Sequence, residues 1–171
     1  MLSFKSINLI NNMLTGLGKP NITALSEENH NYEYEGTSFS IADNTYRSRL
    51  AKLTPSKKGY FVVFWKKNDT NKNQAYSYDE SPEKIIISVI DNELQGQFIF
   101  PKSILLKQGV LRTGNSKGKM AIRVYPSWEN GLNQSAIKTQ EWQREYFIDL
   151  SNEVDNNRLT KLYFSKLINL K

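Results

Sequence analysis

Apolar residues at Phe4, Ile7, Ile10 and Leu14 recur at helical spacing. They predict a helix over residues 3–16, opened by Ser3 as a cap and closed by Gly16, Gly18 and Pro20. Near the other end Leu159, Leu162, Tyr163, Leu167 and Leu170 fall on one helical face behind a cap at Ser151 or Asp155. Lys161, Lys166 and Lys171 come late in that segment, where they suit the helix dipole. Between the two helices the period shortens to two. Residues 22–41 alternate in places and predict a loop with one or two short strands. Residues 46–54 alternate less cleanly, and residues 60–66 are apolar on both faces. The two stretches are predicted to pair as a β-hairpin across the Pro55–Gly59 turn. Residues 67–83 read as a long polar loop. Residues 85–90 and 97–100 form a second hairpin through Asp91-Asn92-Glu93. A helical turn over residues 103–107 stops at Gly109, and a strand follows over residues 119–125. A helix then starts at Asn133 or Ser135, with Trp142 and Tyr146 four apart, and residues 146–150 pack inward.

Strands fill the middle, helices flank the ends, and the links are tight. The expected fold class is α+β: a single domain over residues 1–171, with a largely antiparallel central sheet flanked by N- and C-terminal helices. A chain of 171 residues can bury one core unaided.

Charge changes the picture. The formal net charge is +6, and it is unevenly spread. Residues 21–46 carry Glu27, Glu28, Glu33, Glu35 and Asp43 with no Lys or Arg, whereas residues 47–125 are strongly basic. A segment of that kind favours a polyanionic partner. The chain has no cysteine, which excludes disulfides, thiol nucleophiles and cysteine-ligated metals. The start lacks the pattern of a secretory signal, and the longest aliphatic run, residues 85–90, is too short to span a bilayer. These features predict a soluble cytoplasmic protein without membrane insertion.

Candidate chemistry is sparse. His30 is the one histidine; in an acidic polar loop, without a nucleophile elbow to partner it, it reads as a solvated side chain rather than a base. Gly114-Asn-Ser-Lys-Gly118-Lys119 fails as a phosphate loop in glycine spacing, in the residue after the lysine, and in leading to a strand. A metal-dependent nuclease needs carboxylates and a Glu-x-Lys-like pair. No Asp or Glu has Lys two positions later, which leaves Asp91 and Glu93 in a hairpin turn as weak candidates. No metal and no cofactor are expected. Aromatic and basic residues do interleave, as single-stranded nucleic-acid binders require. Trp65, Tyr125, Trp128, Trp142 and Tyr146 stand among Lys66, Lys102, Arg123 and Arg144, with Gln140 and Gln143 able to bond a base edge. Lys57 and Lys58 flank a turn suited to phosphate. Arg123 alternates with Ile122 and Val124, so it lies on the opposite sheet face from them.

Five separated segments carry a family resemblance. They are residues 49–61, residues 98–102, the run from Gly109, Arg123-Val-Tyr-Pro-Ser-Trp128, and residues 139–147. In this order they resemble the MepB family. That family's founding member is encoded beside a MarR-type repressor and a MATE-type multidrug efflux pump, which implies an accessory role in drug response. The matched positions expected to bind a ligand are Arg49, Lys52, Lys57, Lys102, Arg123, Tyr125, Trp128, Gln140 and Trp142. The expectation is a non-catalytic cytoplasmic protein that binds nucleic acid or a nucleotide- or nucleoside-like ligand. A metal-dependent nuclease or phosphodiesterase and a protein-interaction adaptor remain as alternatives.

Overall fold

The computed structural model describes residues 3–166. In chain order the elements are α1 (Lys5–Leu17), β1 (Ile22–Glu27), β2 (Thr37–Ile41), β3 (Asn44–Leu50), β4 (Lys52–Thr54), β5 (Lys57–Val63), β6 (Trp65–Lys67), β7 (Asn73–Ala75), β8 (Lys84–Asp91), β9 (Leu94–Pro101), α2 (Lys102–Lys107), β10 (Ala121–Val124), α3 (Gln134–Gln143), β11 (Phe147–Asp149) and α4 (Asn156–Phe164). The central sheet runs β1-β2-β3-β8-β9-β11. All its pairings are antiparallel except β3 with β8, which is parallel. A smaller sheet, β10-β5-β4, and a two-stranded ribbon, β6-β7, lie outside it. The fold is therefore α+β with a mostly antiparallel sheet.

The inner strands of the central sheet are buried on both faces, which is why β8 reads as an aliphatic run interrupted only by the buried Ser88. Ile86, Ile99 and Ile148 join Phe4, Ile7, Ile10 and Leu14 of α1 and Leu159 and Tyr163 of α4 in one core. Ile85, Ile87, Val89, Phe98 and Phe100 face the other way and pack with Tyr60, Val62 and Val124 of the small sheet. The helices thus cover one face and the small sheet covers the other.

Four local expectations need correction. Ser3 does not cap α1; Phe4 is the N-cap residue and offers no side-chain bond. The Glu35 carboxylate, distant in sequence, accepts from the backbone N–H of Lys5 at 3.2 Å and of Ser6 at 2.8 Å. Residues 46–54 are not one hairpin arm. The chain changes sheets at Ala51, so β3 joins the central sheet and only β4 pairs with β5. Residues 67–83 are not all loop, because β7 folds back on β6. Asp155 caps α4 by accepting from Arg158 N at 3.1 Å. Trp142 and Tyr146 do not share one helix: α3 ends at Gln143, and Tyr146 closes a 3-10 turn. Both rings still meet Phe100, at 5.3 and 5.9 Å between centroids. Leu167, Leu170 and Lys171 lie outside the described residues.

The acidic segment folds onto the basic one. Glu28 accepts from Nη1 and Nη2 of Arg49 at 3.0 and 2.9 Å and from Nε of Arg47 at 3.0 Å; the Tyr76 hydroxyl is a further partner. Burial alone would raise the Glu28 pKa. The Arg49 hydrogen bond and the charges of Arg49 and Arg47 outweigh it and hold the carboxyl below its ordinary range. Glu33 stands 3.9 Å from the Lys52 ammonium.

Candidate nucleic-acid interface

The small sheet turns one face to the core and leaves the other open. Along β5, Tyr60 and Val62 are buried, so Phe61 and Val63 point outward. Register then builds a row. Arg123 of β10 lies opposite Phe61, and Phe61 lies opposite Lys52 of β4. Cation, ring and cation stand side by side across three strands. The Arg123 guanidinium carbon lies 5.7 Å from the Phe61 centroid. Its Nη1 donates to Lys58 O at 3.0 Å and its Nη2 to Thr54 Oγ1 at 2.5 Å, which fixes the fork in place. Tyr34 meets Phe61 edge-on at 6.3 Å, and the Lys52 ammonium sits 4.8 Å over the Tyr34 ring.

At one end of this row the β4–β5 turn leaves Lys57 and Lys58 exposed. Gly59 follows with φ +78°, and the Tyr125 ring lies against it. A Cβ there would fall 2.6 Å from the Tyr125 ring, so the ring rests where only glycine leaves room. Lys58 Nζ donates to Asn130 O at 2.7 Å. Lys57, Lys58, Arg123 and Tyr125 line a hollow of about 430 Å³ beside the first turn of α3. Arg123 and Tyr125 also line a second hollow of about 220 Å³, shared with Lys119 and Trp142. The arrangement offers ring faces for stacking and cations for phosphate on one open sheet surface.

The structure thus brings together Lys52, Lys57, Arg123, Tyr125 and one side of Trp142. The other expected residues fall elsewhere. Arg49 has no exposed surface; its guanidinium is engaged by Glu28, and its Nε donates to Val63 O at 3.1 Å, so no phosphate reaches it. Trp128 turns inward. Its Nε1 donates to the Tyr60 hydroxyl at 3.2 Å, and its ring meets Phe147 edge-on at 5.6 Å. Gln140 is buried, and its amide donates to Pro126 O and Glu129 O at 3.0 and 3.2 Å. Gln143 accepts from Tyr125 N and donates to Arg123 O, both at 2.9 Å, and so acts as a neighbouring strand for the free edge of β10. Neither amide is available to a base edge. Lys102 starts α2, where its Nζ donates to Tyr78 O at 3.4 Å and covers the Tyr78 ring, and it lines neither hollow.

Asp91 accepts from the Tyr60 hydroxyl at 2.8 Å. Glu93 is exposed in the β8–β9 turn. Among the described residues, no three His, Cys, Asp or Glu side chains are grouped to hold a metal ion. His30 is stacked on Trp65 at 5.2 Å rather than free in solvent. Phe61, Thr54 and Tyr34 were not anticipated. Phe61 reads as core within an apolar strand, and only the pairing register reveals that it stands between two cations.

Fold and site together describe a basic α+β domain with an open cationic and aromatic sheet face. Residues 28–149 match the MepB-like family model, and the chain belongs to that family. A crystal structure of MepB is similar at 44% sequence identity and TM-score 0.78, covering 88% of this chain and 99% of that one. A bacterial homing endonuclease aligns at 10% identity and TM-score 0.46, covering 81% of this chain and 86% of that one, a likeness too slight to bear on fold or activity. No curated protein matches the chain. Among the described residues no helix is long and apolar enough to cross a membrane.

Proposed function

We propose that this chain is a non-catalytic protein that binds nucleic acid, or a nucleotide-like ligand, on the open face of β4, β5 and β10. The observation that carries the reading is the row Lys52–Phe61–Arg123, continued by Lys57, Lys58 and Tyr125 around the 430 Å³ hollow. Base stacking on an aromatic side chain contributes roughly 1–3 kcal/mol per base and tolerates any sequence. Lysines and an arginine beside the rings supply the phosphate contacts that set affinity and register. A cytoplasmic setting, expected from the sequence, and an accessory role beside a drug-efflux system, implied by the family resemblance, accord with this reading.

The test is fluorescence anisotropy of labelled single- and double-stranded DNA and RNA, titrated with the purified chain at low and at near-physiological salt. The expected result is saturable binding that weakens steeply with salt and is stronger for single strands, whose bases are free to stack. No binding at low salt, or binding indifferent to salt, overturns the proposal.

A further inference from the structure

We propose a second binding site on the ribbon side of the molecule, distinct from the open sheet face, that takes a phosphate group. It is a hollow of about 450 Å³ whose walls include Glu28, His30, Ser38, Arg47, Lys67 and Tyr76.

The argument rests on which cations there are already neutralised. Arg47 and Arg49 share one carboxylate, that of Glu28. Arg49 takes both of its oxygens, through Nη1 at 3.0 Å and Nη2 at 2.9 Å. Arg47 reaches Glu28 through Nε alone, at 3.0 Å, and among the described residues its two Nη groups have no hydrogen-bond partner. Its guanidinium lies 3.6 Å over the Tyr76 ring, with the side chain 12% exposed, so the fork is held by stacking and still open at its outer end. A planar fork with free Nη groups matches two oxygens of a phosphate. Lys67 has no acidic partner among the described residues, and its ammonium lies 5.4 Å over the Trp65 ring. Ser38 is the cross-strand partner of Arg47 and brings a hydroxyl to the same wall. Glu27 lines the rim without a basic partner there, against Lys67 and the one charge of the Arg47–Arg49 pair that Glu28 leaves uncompensated, so the hollow keeps a net positive charge. Lys66, bonded to Glu80 at 3.0 Å, and Lys67 also border a neighbouring hollow of about 350 Å³, where Arg112 stands with Asp69. The net positive charge and the open fork suit a phosphate, and rigid placement of the fork lowers the ordering cost of binding.

The phosphate has two possible sources: a small phosphomonoester, or the phosphorylated end of a nucleic-acid strand. Isothermal titration of the whole chain with inorganic phosphate at constant ionic strength tests the site itself. The expected result is saturable one-to-one binding, weakened at least tenfold by Lys67→Ala and by Arg47→Lys, and unchanged by Lys107→Ala, an exposed lysine that lines neither site. Arg47→Lys keeps the charge and removes the fork, while Lys67→Ala alters a surface side chain without touching the Glu28 cluster, so folding is preserved. No saturable binding, or equal binding by Lys67→Ala, overturns the proposal whatever the sheet face does with nucleic acid. Anisotropy with 5′-phosphorylated and 5′-hydroxyl oligonucleotides then separates the sources. A preference for the phosphorylated strand that is lost in Lys67→Ala assigns the site to a strand end, and equal affinities assign it to a small phosphomonoester.

Discussion

Replacing Glu28 by alanine removes the carboxylate that neutralises a fully buried guanidinium. Arg49 has no exposed surface, and the Glu28 side chain is 13% exposed. The substitution removes the hydrogen bonds from Arg49 Nη1, Arg49 Nη2 and Arg47 Nε and the contact with the Tyr76 hydroxyl. Breaking one side of a buried ion pair costs about 3–5 kcal/mol, because the remaining charge is left without compensation. The slight exposure of Glu28 admits some water, so the low end applies, about 3 kcal/mol. That is a large fraction of the roughly 5–15 kcal/mol that holds a domain folded. At about 2–4 °C per kcal/mol for a chain of this size, the melting midpoint falls by roughly 6–12 °C. The pH dependence follows in sign. The Glu28 pKa is depressed on folding, below 4.5, so its carboxylate contributes stability that is present above the unfolded value and is lost as pH falls through the folded one. The gap between wild type and Glu28→Gln therefore narrows in acid. Urea denaturation of wild type, Glu28→Ala and Glu28→Gln from pH 7 down to pH 3 measures both effects. A loss under about 1 kcal/mol at pH 7, or a gap to Glu28→Gln that does not change with pH, refutes the reasoning.

Three further outcomes follow from the same contacts. Gly59→Ala combines a left-handed backbone at φ +78° with a Cβ 2.6 Å from the Tyr125 ring, and should cost about 2 kcal/mol or more while shifting Tyr125 fluorescence; urea titration and emission spectra check it. Gln143→Leu leaves Tyr125 N and Arg123 O without their partner on the edge of β10 and should cost about 2–4 kcal/mol, with faster amide exchange along that strand. Lys84 donates to Leu162 O at 2.5 Å, and burial lowers its pKa to about 8 from 10.5. Between those values the unfolded chain binds more protons, so wild-type stability should rise with pH relative to Lys84→Met, by about 1–2 kcal/mol after allowance for screening; paired urea curves at pH 7.5 and 10 measure it.

Local patterns were readable and long-range partners were not. The α1 stripe of Phe4, Ile7, Ile10 and Leu14 and the β8–β9 hairpin announce themselves because period and turn lie within a dozen residues. The outward placement of Arg123 was legible from its alternation with Ile122 and Val124. The change of sheet at Ala51 was not, because no turn residue interrupts residues 46–54 and the division is made by parallel pairing with β8. Arg49 reads as a solvent-facing cation, since its neutralising carboxylate stands 21 residues earlier in the chain. Gln140 and Gln143 read as free amides because nothing in α3 itself indicates that this face meets the backbone of β10 and the loop after it. The row Lys52–Phe61–Arg123 depends on two strand registers at once, and no single segment encodes both.

The central claim is that the open sheet face binds a polyanion through Lys57 and Arg123 beside the Phe61 and Tyr125 rings. Its most direct test is the salt dependence of anisotropy-measured affinity for a labelled single-stranded oligonucleotide, compared among wild type, Lys57→Ala and Arg123→Ala. The account predicts that Lys57→Ala weakens binding and lowers the slope of log affinity against log salt by roughly 0.7, one phosphate contact on a single strand. Arg123→Ala should weaken binding by about 1–3 kcal/mol. Affinity and slope unchanged in both variants would contradict it.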